Sequence, residues 1–203
     1  MNGPAVIDLS AIGRGFDNLA LDSQAVFRLA LSAMARPGDL QEITTCIESP
    51  AGLHPAAGAV LLALLDQDTR LWLSPAFAGS PVATYLRFHT GCVPVAGAAE
   101  ADFVLVANVS ELPALDTLGR GSEEYPERSA TVVLQVAGLA NDAGWRLSGP
   151  GIEGTKRLHV AGLGDVFLKN WRENRNVFPR GIDLFVTSGN RLAALPRTTR
   201  LET

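Results

Sequence analysis

Apolar residues recur at helical spacing in several separate stretches of this chain. In the first, the apolar positions between residues 26 and 34 lie on one side of a helix that Asp22 or Ser23 can cap. Pro37-Gly38 would end that helix. The same criteria predict further helices over residues 55–65, 81–91, 111–118 and 165–173.

Short stretches rich in β-branched and apolar residues lie between these helices. Residues 182–187 and 191–195 are joined by Ser188-Gly189-Asn190 and predict a hairpin with a tight turn. Other strands are predicted over residues 40–46, 70–73, 103–107, 131–137, 145–147 and 157–160. Because helices and strands alternate for most of the length, the pattern predicts an α/β fold, a three-layer α/β/α sandwich around a mixed sheet.

The chain has 203 residues, without an internal repeat or a shift in composition that would mark a second domain. We therefore expect a single domain over residues 18–203, preceded by an irregular arm over residues 1–17. Hydrophobic residues make up 47% of the chain and charged residues only 19%, against about 25% charged residues in typical domains. An apolar exterior of this kind favours a subunit of a stable assembly.

Charge and targeting patterns exclude several classes of protein. The net charge of −4 argues against binding to nucleic acid. The longest apolar run, residues 56–65, is too short to span a membrane and predicts a buried helix. The N-terminal residues lack the basic start and apolar stretch of a secretory signal, so a cytoplasmic location is expected.

The motifs of the common enzyme and cofactor classes are either absent or in the wrong context. Residues 149–154 spell GxGxxG, but an alternating, strand-like stretch follows instead of a helix, which predicts a structural turn. An independent pyridoxal-phosphate enzyme, the disfavoured alternative, would need Lys156 or Lys169 for its Schiff base, and both are expected at the surface. Histidines and cysteines show no metal-ligand spacing, and no hydrolase, kinase or deaminase signature occurs. The catalytic residues are thus unknown, and neither a cofactor nor a metal is expected.

Arginine accounts for 15 of the 17 basic residues, and its forked guanidinium suits phosphate and carboxylate groups. One cluster of arginines precedes the predicted hairpin, at residues 172, 175 and 180, and another follows it, at 197 and 200. They predict an anion site for ATP or a phosphorylated ribose, built from Arg87, His89, Arg180, Arg197, Thr198 and Arg200. In the alternative interpretation, the arginines of these clusters are solvated or pair with Asp165, Glu173, Asp183 and Glu202.

A second group of residues lies at positions 28–38 and 179–196, several of them beside a proline or glycine that predicts a turn. We expect its members to stabilise the fold or a subunit interface: Arg28, Arg36, Pro37, Gly38, Pro179, Gly181, Asp183 and Pro196.

Five segments carry a resemblance to a known family: FRLALSAMARPG at 27–38, LRFHTG at 86–91, TVVLQVAGL at 131–139, LSGPGI at 147–152 and NRNVFPRGIDLFVTSGNRLAALPRTTR at 174–200. Together they closely resemble the PhnH family, the H subunits of the bacterial carbon-phosphorus lyase system for phosphonate use. The resemblance implies an architecture similar to that of pyridoxal-phosphate transferases, without the cofactor. It also implies a homodimer in isolation and, in the cytoplasm, a core complex with the G, I and J subunits.

For function, the resemblance implies a part in making alpha-D-ribose 1-methylphosphonate 5-triphosphate from ATP and methylphosphonate. The chain would be an essential but noncatalytic or structural subunit of that complex, as the broad match, the high apolar fraction and the missing catalytic signatures indicate. No catalytic residue can be carried over from the family to a position in this sequence. A nucleotide-binding or phosphorylated-ribose-binding subunit with an arginine-lined site is the alternative.

Overall fold

The computed structural model describes residues 12–203, so most of the predicted arm lies outside the described part of the chain. Four α-helices occur in this part: α1 Leu19–Ala35, α2 Pro55–Leu64, α3 Pro81–Thr90 and α4 Asp165–Asn176. The strands are β1 Gln41–Glu42, β2 Arg70–Leu73, β3 Val93–Pro94, β4 Phe103–Val106, β5 Thr131–Gln135, β6 Leu139–Ser148, β7 Lys156–Val160, β8 Asp183–Ser188, β9 Arg191–Leu195 and β10 Arg200–Glu202.

Seven of the strands form one mixed sheet in the order β1-β9-β8-β5-β4-β2-β3. Neighbouring strands from β8 to β3 run parallel, whereas β9 is antiparallel to both β8 and β1. The predicted hairpin is confirmed, since Leu184 pairs with Leu195 and Ser188 pairs with Arg191 across a turn in which Gly189 has φ +61°. A separate antiparallel sheet has the order β10-β6-β7.

Side chains alternate across the large sheet and enter two different cores. Val133 and Phe185 pack into the core that also contains the buried faces of α1, α2 and α3. Val132 and Leu184 pack into the core that contains α4 and the small sheet. The fold is therefore mixed α/β, with a large mixed sheet and four helices in the described range. On one side of the large sheet, α4 is accompanied by the small antiparallel sheet.

The predicted buried helix at residues 55–65 is confirmed by α2. Every residue from Ala56 to Leu62 is buried in this helix, because it lies between the large sheet and the other helices of its face. None of the helices described is long and apolar enough to cross a membrane.

Helix α1 begins earlier than the apolar pattern predicts. The cap is Asn18, whose side-chain oxygen accepts a hydrogen bond from the Leu21 amide at 3.1 Å. In return, the Asp22 carboxylate accepts one from the Asn18 amide at 2.8 Å. Asp22 thus lies inside the first turn, and the prediction of Asp22 or Ser23 as the cap is wrong.

Two other predicted elements are shorter than expected. The helix over residues 111–118 is replaced by two single 3-10 turns, Val109–Glu111 and Leu115–Thr117, because Pro113 between them disfavours a helical conformation at Leu112. The strand over residues 40–46 is reduced to β1 at the sheet edge, and beyond it the Ile43 amide donates to the Asn190 carbonyl in the hairpin turn.

Candidate functional site

Arg197 lies just after β9 and holds several loops together. Its guanidinium pairs with Asp183, the first residue of β8, through Nη2 and Oδ2 at 2.5 Å, while Nε also faces the carboxylate. Nη1 donates to the carbonyls of Pro126 at 2.9 Å and Pro179 at 3.1 Å, and Nη2 donates to Ser129 Oγ at 2.5 Å. Every N–H of the guanidinium therefore has an acceptor.

The Arg197 side chain is only 13% exposed, and the Arg197 amide also donates to Asp183 at 2.7 Å. A phosphate could reach this guanidinium only by displacing Asp183 or the loop carbonyls. Of the two interpretations offered by the sequence, the ion pair with Asp183 is what the structure shows for Arg197.

His89 and Arg87 occupy the last turn of α3. His89 Nε2 lies 2.9 Å from the Gly13 carbonyl, and the Tyr85 hydroxyl donates to the Arg14 carbonyl at 3.2 Å. Burial, with a smaller contribution from a nearby glutamate, raises the pKa of Tyr85 to about 12. These contacts fix residues 13–14 against α3, which makes His89 a structural anchor for the segment that precedes α1.

The predicted anion site is not assembled as one constellation. The α3 helix packs on the face of the large sheet that carries α1 and α2, whereas Thr198 and Arg200 lie beside α4, on the opposite face. Arg87 and His89 therefore cannot act together with Thr198 and Arg200. Arg180 is half-buried, and its Nε has no hydrogen-bond partner within residues 12–203.

Thr198 and Arg200 do contribute to one concave surface, which we call the C-terminal cleft. Its volume is about 510 Å³, and it is lined by Ser148, Gly149, Pro150, Arg175, Phe178, Thr198 and Arg200. An adjoining cavity of about 450 Å³ shares Arg175 and Arg200 with it and adds Arg172 and Glu202. The cleft and this cavity therefore meet at Arg175 and Arg200, beside α4 and β10.

Positive charge exceeds negative charge at this surface. Among residues 12–203, Glu202 is the one acidic residue that lines the cleft or its adjoining cavity, and it pairs with Arg146 at 2.6 Å. The hydrogen bond from Arg146 lowers the pKa of Glu202, with further Coulombic contributions from Arg146, Arg200 and Arg172. Within residues 12–203, no carboxylate lies within 4.0 Å of the guanidinium of Arg172, Arg175 or Arg200.

Comparison with known proteins identifies the family. A family profile described as "Bacterial phosphonate metabolism protein (PhnH)" matches residues 14–202. The chain belongs to the PhnH family. It is 40% identical to the alpha-D-ribose 1-methylphosphonate 5-triphosphate synthase subunit PhnH of Rhizobium meliloti (strain 1021), over 92% of this chain and 94% of that protein. It is also 35% identical to the putative C-P lyase subunit protein HtxG of Stutzerimonas stutzeri, over 88% of this chain and 85% of that protein.

The segments that carry the PhnH resemblance make packing contacts in the structure. In the ARPG stretch, Gly38 has φ +91° and lies against the Lys156 side chain. The glycine-rich turn after β6 lies so close to the end of α1 that a Cβ at Gly151 would come within 2.0 Å of the Ala35 carbonyl oxygen. These two motifs therefore join the α1 terminus to the small sheet.

The FPRGIDL stretch packs in a similar way. The Asn174 side chain, which is buried, accepts a hydrogen bond from the Ile182 amide at 2.7 Å and donates to the Ile182 carbonyl at 3.0 Å. Gly181 has φ +130°, and a Cβ there would lie 3.0 Å from the Asn174 carbonyl oxygen. The residues predicted to be structural around Pro179 and Asp183 thus connect α4 to β8.

The two lysines are in different environments. Lys156 lies in β7 and forms an ion pair with Asp39, and Lys169 is an exposed residue of α4. Across residues 12–203, no group of three histidine, cysteine or acidic side chains could hold a metal ion.

Several residues that line the C-terminal cleft or its adjoining cavity lie outside the predicted anion site. The sequence places Arg172 and Arg175 in an arginine cluster, and it places Pro150 and Phe178 in motifs interpreted as turns and packing. The available signal was the i, i+3 spacing of Arg172 and Arg175, which places both guanidiniums on one side of a helix.

Proposed function

We propose that this chain is a subunit of the carbon-phosphorus lyase core complex of phosphonate catabolism. In that complex it would be needed to make alpha-D-ribose 1-methylphosphonate 5-triphosphate from ATP and methylphosphonate. The observation that carries the proposal is the 40% identity, over nearly the full length of both chains, to a PhnH subunit of the synthase that is named for this product. The partners would be the G, I and J subunits, in the cytoplasm.

We propose a structural, noncatalytic role within the complex. The family motifs support it, because three of their residues contact the protein's own backbone and side chains: Arg197 pairs with Asp183, Gly151 lies against the Ala35 carbonyl and Gly181 lies against Asn174. The two-sided packing of the large sheet is compatible with the three-layer architecture of pyridoxal-phosphate transferases. We propose that architecture for a single domain over residues 18–203.

Helix α1 offers a surface for subunit contact. Phe27 is 48% exposed and Leu31 is 57% exposed, and both line an apolar groove of about 370 Å³ between α1 and the starts of β4, β5 and β8. Exposed apolar side chains one helical turn apart are typical of a surface that another subunit covers. We propose that this α1 groove contacts a partner subunit, and that the isolated protein is a homodimer.

Co-purification tests the assembly. A tagged chain expressed in cells growing on methylphosphonate should recover the G, I and J subunits in stoichiometric amounts. The double variant Phe27→Ser, Leu31→Ser should lose them while keeping its circular dichroism spectrum. Val166→Ser is the matched control, since Val166 is a 77% exposed apolar residue of α4, on the opposite face of the sheet. Retention of all partners by the double variant would rule out the α1 groove as the contact.

A second candidate function is the binding of a nucleotide or a phosphorylated ribose. The observation that favours it is the C-terminal cleft, where Arg175, Thr198 and Arg200 lie together. Of the residues that the sequence predicts for an anion site, the structure brings Thr198 and Arg200 to this cleft.

A further inference from the structure

Three arginines reach the same concave surface from two elements. Arg172 and Arg175 are one helical turn apart on α4, and Arg200 begins β10, which packs against α4. Among residues 12–203, the one carboxylate that lines this cavity is Glu202, which pairs with Arg146, so the repulsion among the three guanidiniums is left for solvent or an anion to compensate. The arrangement therefore favours a ligand with several negative oxygens.

The donors of these guanidiniums are largely uncommitted. Arg175 Nε donates to the Thr198 carbonyl at 3.3 Å, a long hydrogen bond that orients the side chain. Within residues 12–203, neither Arg172 nor Arg200 donates a side-chain hydrogen bond that meets ordinary geometry. Arg197, by contrast, has no free donor. A phosphate chain could thus bind to Arg172, Arg175 and Arg200 without breaking an ion pair of the protein.

The cleft also has an apolar wall. Phe178 is 63% exposed and lines the cleft beside Pro150 of the glycine-rich turn. An exposed aromatic ring next to arginines is the arrangement on which proteins stack nucleobases. The volume of about 510 Å³ is within the range of small-molecule sites.

A buried hydroxyl lies in the same segment. Thr199, between the two cleft residues Thr198 and Arg200, is 1% exposed, and its Oγ1 has no hydrogen-bond partner among residues 12–203. Unpartnered buried polar atoms are unusual in proteins, and each calls for an explanation such as a bound water, an ion or a functional role.

We infer that the C-terminal cleft and its adjoining cavity together bind a nucleoside polyphosphate, with Arg172, Arg175 and Arg200 on the phosphates and Phe178 stacked on the base. This inference deepens the second candidate function and rests on it. It is independent of membership in the complex, because the cleft is complete in a single chain.

Titration calorimetry of the isolated full-length protein tests the inference, with ATP, tripolyphosphate and adenosine as probes. ATP should bind most tightly, tripolyphosphate should bind less tightly, and adenosine should bind weakest. Arg172→Gln and Arg200→Gln should each weaken the binding of ATP and of tripolyphosphate about tenfold or more, since a hydrogen bond to a charged group is lost in each case. Arg87→Gln removes an exposed guanidinium from α3, on the other face of the sheet, and should change neither affinity.

The aromatic wall has its own test. Phe178→Ala should weaken the binding of ATP about fivefold or more, because the stacking on one base is lost. It should leave the affinity for tripolyphosphate unchanged. The inference would be overturned if the binding heat did not saturate at millimolar ATP. It would also be overturned if Arg200→Gln and the unaltered protein had equal affinities for ATP. Co-purification of the partner subunits is a separate measurement, so failure of the cleft and failure of the assembly can be told apart.

Discussion

The ion pair between Arg197 and Asp183 gives a quantitative test of the structural role assigned to the family motifs. The change Asp183→Ala removes the carboxylate that accepts hydrogen bonds from the Arg197 amide, Nε and Nη2. The guanidinium, 13% exposed, is then left without its counter-charge. Its Nη1 would still be held by the carbonyls of Pro126 and Pro179, so the side chain could not easily move into water.

The size of the effect follows from burial. Removing one partner of a buried ion pair costs about 3–5 kcal/mol of unfolding free energy, because an uncompensated charge stays in the interior. Asp183 is 24% exposed, so some solvent screens the pair. We therefore expect a loss of about 3 kcal/mol, at the lower end of that range.

Urea denaturation followed by circular dichroism measures this loss, as a lower midpoint with an unchanged m-value. The matched control is Glu202→Ala, which breaks an ion pair with Arg146 whose side chains are 56% and 50% exposed. That change should cost about 0.5 kcal/mol or less, as exposed pairs usually do. If Asp183→Ala costs no more than Glu202→Ala, Arg197 does not hold the loops together and the reasoning fails.

Two further predictions concern packing and pH. Gly151→Ala should destabilise the fold by about 1–3 kcal/mol more than Gly154→Ala, because only the first new methyl meets backbone, at the Ala35 carbonyl, although both glycines have positive φ; equal midpoints in urea would contradict this. Burial lowers the pKa of His54, and its hydrogen bond with Thr187 opposes this shift to a smaller extent. Near the ordinary pKa of histidine, the unfolded chain therefore binds more protons than the folded chain. Stability should therefore rise with pH through about 6.5, and His54→Gln should flatten the midpoint-against-pH curve in that window, whereas an unchanged slope would contradict the assignment.

The fold was predictable where a local pattern determines it. The hairpin of β8 and β9 has two apolar strands and a glycine turn within 13 residues, and α2 has a continuous apolar run after a proline. The prediction failed where a single residue or an edge position decided the outcome. Pro113 divides the predicted helix over 111–118 into two short turns, and β1, at the edge of the sheet, pairs with one neighbouring strand in the part of the chain that the structure describes.

The candidate site was less predictable because its contacts are distant in sequence. The acceptors of Arg197 include residues 68 and 71 positions away, which no local spacing reveals. Arg87 and His89 have the right chemistry for an anion site, but the side of the sheet on which α3 packs separates them from Thr198 and Arg200. Residue types indicate what a site could bind, whereas the topology decides which of these residues meet.

Growth on a phosphonate tests the central claim most directly. A strain that lacks only this chain should grow normally on phosphate but not on methylphosphonate as the sole phosphorus source, and it should accumulate no alpha-D-ribose 1-methylphosphonate 5-triphosphate. Expression of the full-length chain should restore both growth and product. Normal growth of the deletion strain on methylphosphonate, with the product present in its extracts, would contradict the assignment of this chain to the complex.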